Sequence, residues 1–217
     1  MNADQDPRLF ILGGISGIIG TLCYVIAITV PLSQIGTYIF AMAWPLLSII
    51  FVFSLNRFIA LEKPSAANHL AFIFACLAFA LVAIMISTQL AVNAGMQEYI
   101  GSASTSEREI LPLVQRSIRL VDMGMDVAWD LFIGVALVFL SIALREHPLF
   151  RWWWAIPSVL LGLVLITLNA LTFPWPPNTK GLIDIGPAVG LYIIALSARL
   201  TLLGNQMKSS KINGNSE

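Results

Sequence analysis

Three aspartates stand four residues apart in the stretch DMGMDVAWD, at Asp122, Asp126 and Asp130. Residues four apart on an α-helix advance by only about 40°, so the three carboxylates would share one slanted face. Carboxylate oxygens can bind a cation or exchange protons. The next fourteen residues, LFIGVALVFLSIAL, carry no charge. The acids therefore adjoin a segment that is suited to the interior of a membrane.

The length of that uncharged segment indicates how deep the aspartates lie. As helix it covers about 21 Å, whereas the hydrocarbon layer is about 30 Å thick. If Arg145 marks one interface, the span must take in Asp130 and also Asp126, while Asp122 remains at the opposite interface. A charged Asp at the centre of a membrane helix costs about 2.5–3.5 kcal/mol on insertion scales. These acids are therefore expected to face protein or a water-filled cleft.

The composition predicts an integral membrane protein. The 217 residues are 58% hydrophobic and 11% charged, whereas soluble domains average about 25% charged. Acidic and basic residues balance at 12 each, so the net charge gives no argument for nucleic-acid binding, which would call for a basic face. The lipid bilayer is the expected partner, and no motif calls for a cofactor.

Apolar runs of about 20 residues, the length needed to cross the hydrocarbon, predict six transmembrane helices. The fold class is therefore all-α, a six-helix polytopic bundle that forms one domain over residues 1–206. The polar tail 207–217 is predicted to be disordered, and 94–118 is the longest connection. The predicted spans are about 9–30, 35–55, 70–93, 120–144, 152–173 and 182–203.

The distribution of Lys and Arg predicts the orientation. Eight of them fall at the end of the bundle that carries both termini, and four fall at the other end. Because cytoplasmic segments are enriched in Lys and Arg, both termini are predicted to be cytoplasmic. The expected location is a bacterial inner membrane.

The first span contains GGISGIIG, in which small residues recur every four positions, as at Gly13 and Gly17 and at Ser16 and Gly20. Such faces let membrane helices approach closely. They can form a homodimer seam through Gly13, Gly17 and Gly20, or they can pack within one bundle.

Other polar residues are expected at depths similar to those of the aspartates. They are Gln89 and Asn93 on the third span, Asn169 on the fifth and Asp184 at the start of the sixth. Gly186-Pro187 favours an irregular first turn close to Asp184. Together these residues predict an acidic cavity that is open to the outside.

Two segments carry a resemblance to known proteins. DVAWDLFI (126–133) and TFPWPPNTKGLIDIGPAVGLY (172–192) resemble a group of small six-span bacterial membrane proteins that is defined as a domain of unknown function. The resemblance covers roughly the C-terminal half of the chain. It implies a six-helix bundle and no particular activity.

The leading hypothesis is a cavity that binds or transports a cation or cationic solute, with proton coupling as an option. Asp126 and Asp130 would be the binding groups, and the other polar residues would support them. One alternative is a non-catalytic assembly or sensory subunit in which the aspartates only join helices. Another is a lipid-modifying enzyme with a carboxylate-bound metal, although the sequence favours a protein that is not an enzyme and identifies no metal ligands.

Overall fold

The computed structural model describes residues 6–102 and 104–214, and these residues form six α-helices and no β-strand. All six helices are long and apolar enough to cross a membrane. The prediction of an all-α, six-helix integral membrane protein is confirmed. The helices are α1 (Pro7–Thr29), α2 (Gln34–Glu62), α3 (Ala66–Ser102), α4 (Thr105–Glu146), α5 (Arg151–Thr172) and α6 (Gly186–Gly214), with a short 3-10 turn at Pro177–Lys180.

The bundle has two ends, which we name by the chain termini. At the proximal end α1 begins and α6 ends, and at the distal end α1 ends, α2 begins and α6 begins. Helices adjacent in sequence pack side by side from α1 to α5, and α6 packs against α1. Contacts are extensive within the group α6, α1 and α2 and within the group α3, α4 and α5. They are fewer between α2 and α3 and sparse between α5 and α6.

Helices α3 and α4 are much longer than the predicted spans. With 37 and 42 residues they measure about 56 and 63 Å, which exceeds the roughly 45 Å of a whole bilayer. The connection predicted over 94–118 is therefore mostly a continuation of these two helices beyond the distal end. The Glu107 carboxylate helps to start α4, because it accepts a hydrogen bond of 2.7 Å from the Ser104 N–H.

The end of α6 also differs from the prediction. The helix continues to Gly214, whereas the sequence predicts that the last span ends at 203 and that disorder begins at 207. Residues 205–210 (NQMKSS) include Gln, Met and Lys, which have good helix propensity, so an apolar helix can continue into water after its hydrophobic run ends. Residues 215–217 of the predicted tail lie outside the described residues.

Glycines bring α1 very close to its neighbours at the proximal end. A Cβ atom at Gly13 would overlap the Ser54 side chain on α2, and one at Gly17 would overlap the Ser197 side chain on α6. A Cβ atom at Gly20 would lie 3.0 Å from the Leu47 Cβ on α2. The face predicted as a possible homodimer seam is thus occupied by helices of the same chain, which is the packing within one bundle that the sequence left as the alternative.

The rest of the proximal end is closed by aromatic rings and a buried polar pair. The ring of Phe58 lies 5.0 Å from that of Phe10, 5.5 Å from that of His147 and 6.0 Å from that of Phe150, measured between centroids. The side-chain amide of Asn56 donates to the Asn68 carbonyl at 3.1 Å, and that of Asn68 donates back to the Asn56 carbonyl at 2.9 Å. Both amides are buried, so this exchange ties the end of α2 to the start of α3.

Candidate functional site

A cavity of about 470 Å³ lies in the distal half of the bundle, and all six helices contribute to its wall. It reaches the seam at which α5 and α6 make few contacts. Its wall is mostly apolar. The only charged side chains of the described residues that line it are Asp126, Asp130 and Asp184, so no described Lys, Arg or His neutralises them from within the cavity.

Asp130 is the most buried of the three acids, and close packing of α4 against α5 places it. A Cβ atom at Gly162 would lie only 2.6 Å from the Gly134 carbonyl oxygen, so the two helices almost touch one turn below Asp130. This approach brings Asn169 within reach, and its amide donates to the Asp130 carboxylate at 2.8 Å and to the Leu165 carbonyl at 3.0 Å. Asp130 is 8% exposed and Asn169 is 1% exposed.

Asp126 and Asp184 enclose the more accessible side of the cavity. Asp126 lies one helical turn from Asp130 towards the distal end and is half-buried. Asp184 is exposed in the segment before α6, where its carboxylate accepts the Gly186 N–H at 2.8 Å and so fixes the start of the helix. The chain can turn back towards this position because Gly181 adopts a left-handed conformation, with φ of 76°.

Three aromatic side chains line the same cavity, and sequence reasoning did not identify them. The rings of Tyr24 and Trp44 are 4.2 Å apart, and those of Trp44 and Trp129 are 6.0 Å apart, between centroids. Only Trp129 could have been linked to the acids from the sequence, because it directly precedes Asp130 in DVAWD. Tyr24 and Trp44 lie on other helices, so only the three-dimensional structure shows that they are close to the aspartates.

The structure does not bring every predicted site residue to the cavity. Asp126, Asp130, Asn169 and Asp184 line it, whereas Asp122, Gln89 and Asn93 do not. Asp122 lies one turn beyond Asp126, and Asn93 is exposed near the distal end of α3. These residues were chosen by depth alone, and depth does not determine which face of a helix a residue occupies. Depth alone was therefore not enough to place them in the site.

Some buried polar atoms around the cavity have no hydrogen-bond partner among the described residues. They are the side-chain amide oxygen of Asn169 and the indole nitrogens of Trp44 and Trp129. Each of these side chains lines the cavity. Buried polar groups are normally hydrogen-bonded, so unpaired groups beside a cavity are expected to pair with whatever occupies it.

The donor set indicates what the cavity can do chemically. The described residues contain no group of three or more His, Cys, Asp or Glu side chains placed to hold a metal ion. The cavity instead offers carboxylate and amide oxygens on one side and apolar and aromatic surface elsewhere. Such a site can attract a positive charge while it accommodates an apolar group.

Comparison with known proteins adds no family. The chain matches no protein-family model, no curated protein and no solved structure.

Proposed function

We propose that this protein binds a cationic solute in the distal cavity and transports it across a bacterial inner membrane in exchange for protons. The observation that carries the proposal is Asp130, a carboxylate that is 8% exposed inside a membrane helix, beside a cavity, with one side-chain donor. Acids inside membrane spans are rare and costly, and they commonly mark ion or solute pathways. A bound cation would offset that cost directly.

The charge of the cavity supports a cationic ligand. Asp126 and Asp184 add to the negative potential, and no basic side chain of the described residues lines the wall. Walls of low polarity strengthen electrostatic attraction, because they screen charge less than water does. An anion would meet repulsion there, and a neutral solute would leave the carboxylates without compensation.

Proton exchange follows from the same carboxylates. Asp130 has one strong neighbour, the Asn169 amide, which can bond to either the charged or the neutral carboxyl group. A proton and a cation therefore compete for the same buried oxygen atoms. Occupation by one favours release of the other, which is the coupling that an exchanger needs.

The orientation rests on the distribution of positive charge. In the arrangement of spans predicted from the sequence, eight Lys and Arg residues lie at the proximal end and four lie at the distal end. The proximal end would then face the cytoplasm and the cavity would face the outside. In this orientation the cavity would accept solute from outside.

Proton movement in reconstituted vesicles tests the proposal, because exchange of one monovalent cation for one proton moves no net charge. The full chain would be placed in proteoliposomes that enclose a pH-sensitive dye, and Na⁺, K⁺, methylammonium, tetramethylammonium and 2-phenylethylammonium would be added outside in turn. With wild type, at least one cation should make the vesicle interior more alkaline at a rate above that of protein-free vesicles. Asp126→Asn and Asp130→Asn should each reduce this rate about tenfold or more, because a buried charged contact is worth about 1.5–3 kcal/mol.

Asp122→Asn is the matched control, because Asp122 belongs to the same row of aspartates on α4 but does not line the cavity. Its rate should equal that of wild type. A rate no higher than in protein-free vesicles with every cation, or equal rates in wild type and both cavity variants, would contradict the proposal. Repeating the measurement with an acidic vesicle interior tests the coupling, since an outward proton gradient should increase the exchange.

One observation favours a second candidate, a subunit in which the aspartates only join helices. The Asn169–Asp130 hydrogen bond connects α5 to α4 and satisfies part of the carboxylate. This alternative predicts that loss of the Asp130 side chain lowers the unfolding temperature and that cations have no effect on it. The transport proposal predicts that the unfolding temperature rises when the bound cation is present.

A further inference from the structure

We infer that the ligand of the distal cavity is a protonated organic amine with an apolar body, rather than an inorganic cation. This inference rests on the proposed function and concerns the chemistry of its solute. It depends on the size of the cavity, the nature of its wall, its three aromatic rings and an unpaired oxygen atom.

The size of the cavity favours an organic ligand. Sites for small organic molecules occupy about 300–1,000 Å³, and this cavity of about 470 Å³ falls within that range. An inorganic cation is held by a close shell of oxygen ligands, and the described residues have no cluster of three or more His, Cys, Asp or Glu side chains for a metal ion. A monovalent ion in this space would retain much of its water, beside a wall that is mostly apolar.

The wall divides into a polar part and an apolar part. Asp126, Asp130 and Asn169 supply oxygen atoms from α4 and α5, whereas Val82 and Met85 on α3 supply apolar surface. A ligand that matches both parts carries its charge at one end and hydrocarbon at the other. Its apolar body would displace water molecules that cannot form hydrogen bonds with the apolar part of the wall.

The aromatic residues give the cavity a second way to recognise positive charge. Tyr24 lies against Trp44, and Trp44 lies against Trp129, so the three rings form one continuous group beside the acids. A cation within about 6 Å of an aromatic ring face is attracted to it, most strongly by Trp. Ammonium groups are more weakly hydrated than small metal ions and are the usual ligands of such aromatic groups.

The unpaired oxygen of Asn169 distinguishes between kinds of ammonium group. This side chain is 1% exposed, and its carbonyl oxygen has no donor among the described residues while its amide group is already engaged. A primary or secondary ammonium can donate an N–H to this oxygen and another to Asp130. A quaternary ammonium has no N–H and would leave the Asn169 oxygen unpaired.

Calorimetric titration of the purified full-length protein in lipid nanodiscs tests the inference. The probes are 2-phenylethylamine, which is protonated at neutral pH, its N,N,N-trimethyl derivative, the neutral analogue 2-phenylethanol, and the chlorides of Na⁺ and K⁺. The primary amine should bind most tightly, the trimethyl derivative more weakly, and the alcohol and the inorganic ions not measurably.

Variants at Tyr24 test the aromatic contribution with little risk to folding, because this side chain is only half-buried. Tyr24→Leu should weaken binding of the amine about fivefold, whereas Tyr24→Phe, which keeps the ring, should remain close to wild type. Tyr38→Leu is the matched control, because Tyr38 is an exposed tyrosine that does not line the cavity. Equal loss of affinity in Tyr24→Phe and Tyr24→Leu would contradict an aromatic role.

The outcomes separate the two proposals. If Na⁺ or K⁺ binds in a manner that depends on Asp130 and the amine does not bind, the inference fails and the proposed function stands. If 2-phenylethanol binds as tightly as the amine, or if no probe binds, both fail. Tighter binding of the trimethyl derivative than of the primary amine would overturn the role assigned to the Asn169 oxygen.

Discussion

The two ends of this bundle use the same six helices in opposite ways. At the proximal end, glycines on α1 bring the helices close together, and Phe58 packs with Phe10, Phe150 and His147. At the distal end, the same helices surround a cavity of about 470 Å³ that contains three carboxylates. Close contacts between helices therefore stabilise the proximal end, whereas the distal end leaves space around its acids. The distal end can then retain buried charge that packing alone would not favour.

The largest effect is expected from Gly14→Ala at the proximal end. The new Cβ would lie 2.5 Å from the Ser197 carbonyl oxygen and 2.8 Å from the Thr201 backbone nitrogen, and backbone atoms cannot rotate away. Overpacking of this kind costs about 1–3 kcal/mol. Thermal unfolding in detergent measures the loss. Gly124→Ala on α4 is the control, because its Cβ meets nothing within 4 Å, and equal unfolding temperatures for the two variants would contradict the contrast.

Asn68→Ala should produce the next largest effect, because it removes one side of the reciprocal pair with Asn56. The Asn56 main-chain carbonyl would lose its side-chain donor, although it lies inside α2 and can keep its helical hydrogen bond. The Asn56 amide would retain its bond to the main chain at position 68. Loss of one such hydrogen bond costs about 0.5–1.5 kcal/mol. Asn93→Ala is the matched control at an exposed position and should leave the unfolding temperature unchanged. A loss of similar size in both variants would contradict the role of the pair.

Acid should destabilise the proximal end through His147, with a smaller effect. Burial lowers the pKa of His147 below its ordinary value of 6.5, and the nearby charge of Glu62 partly opposes this shift. The unfolded chain then binds a proton more readily than the folded one. Stability that is fully present above about pH 6.5 should therefore fall as the pH decreases, until the folded-state pKa is passed. Unfolding temperatures measured from pH 8 to pH 5 should show this decrease, and His147→Gln should reduce it more than His69→Gln does.

The smallest effect on stability is expected at the distal end, from Asp130→Asn. The amide oxygen of the new side chain can still accept the Asn169 hydrogen bond, and the buried charge is gone. The unfolding temperature should stay the same or rise slightly, while cation binding decreases. A fall in stability as large as that of Asn68→Ala would show that the distal acids stabilise the fold, as the proximal pair does.

Much of the fold was readable from the sequence because hydrophobic length is a strong constraint in a membrane. The six spans were predicted from apolar runs, and the depth of Asp130 was predicted from the distance to Arg145. The ends of the helices were harder to predict from the sequence. Membrane thickness indicates where a helix leaves the hydrocarbon but not where it stops, and so the continuation of α3 to Ser102 and the start of α4 at Thr105 were missed.

The site was only partly predictable, for a geometric reason. Asn169 and Asp184 were chosen by depth and do reach the cavity, whereas Gln89 and Asn93 were chosen on the same ground and do not. The missing information is the rotation of each helix about its axis, which depends on packing between helices. At α4 and α5 that packing includes the close approach of Gly162 to Gly134, which lie about two turns from Asn169 and one turn from Asp130.

The seam between α5 and α6 has a mechanical consequence. The helices α6, α1 and α2 pack closely, and so do α3, α4 and α5, so the molecule consists of two three-helix blocks. Tyr24 and Trp44 belong to the first block, and Asp130 and Asn169 belong to the second. A solute in the cavity would contact both blocks at once. Rotation of one block against the other about the contact between α2 and α3 would separate them at α5 and α6, where the two blocks make few contacts.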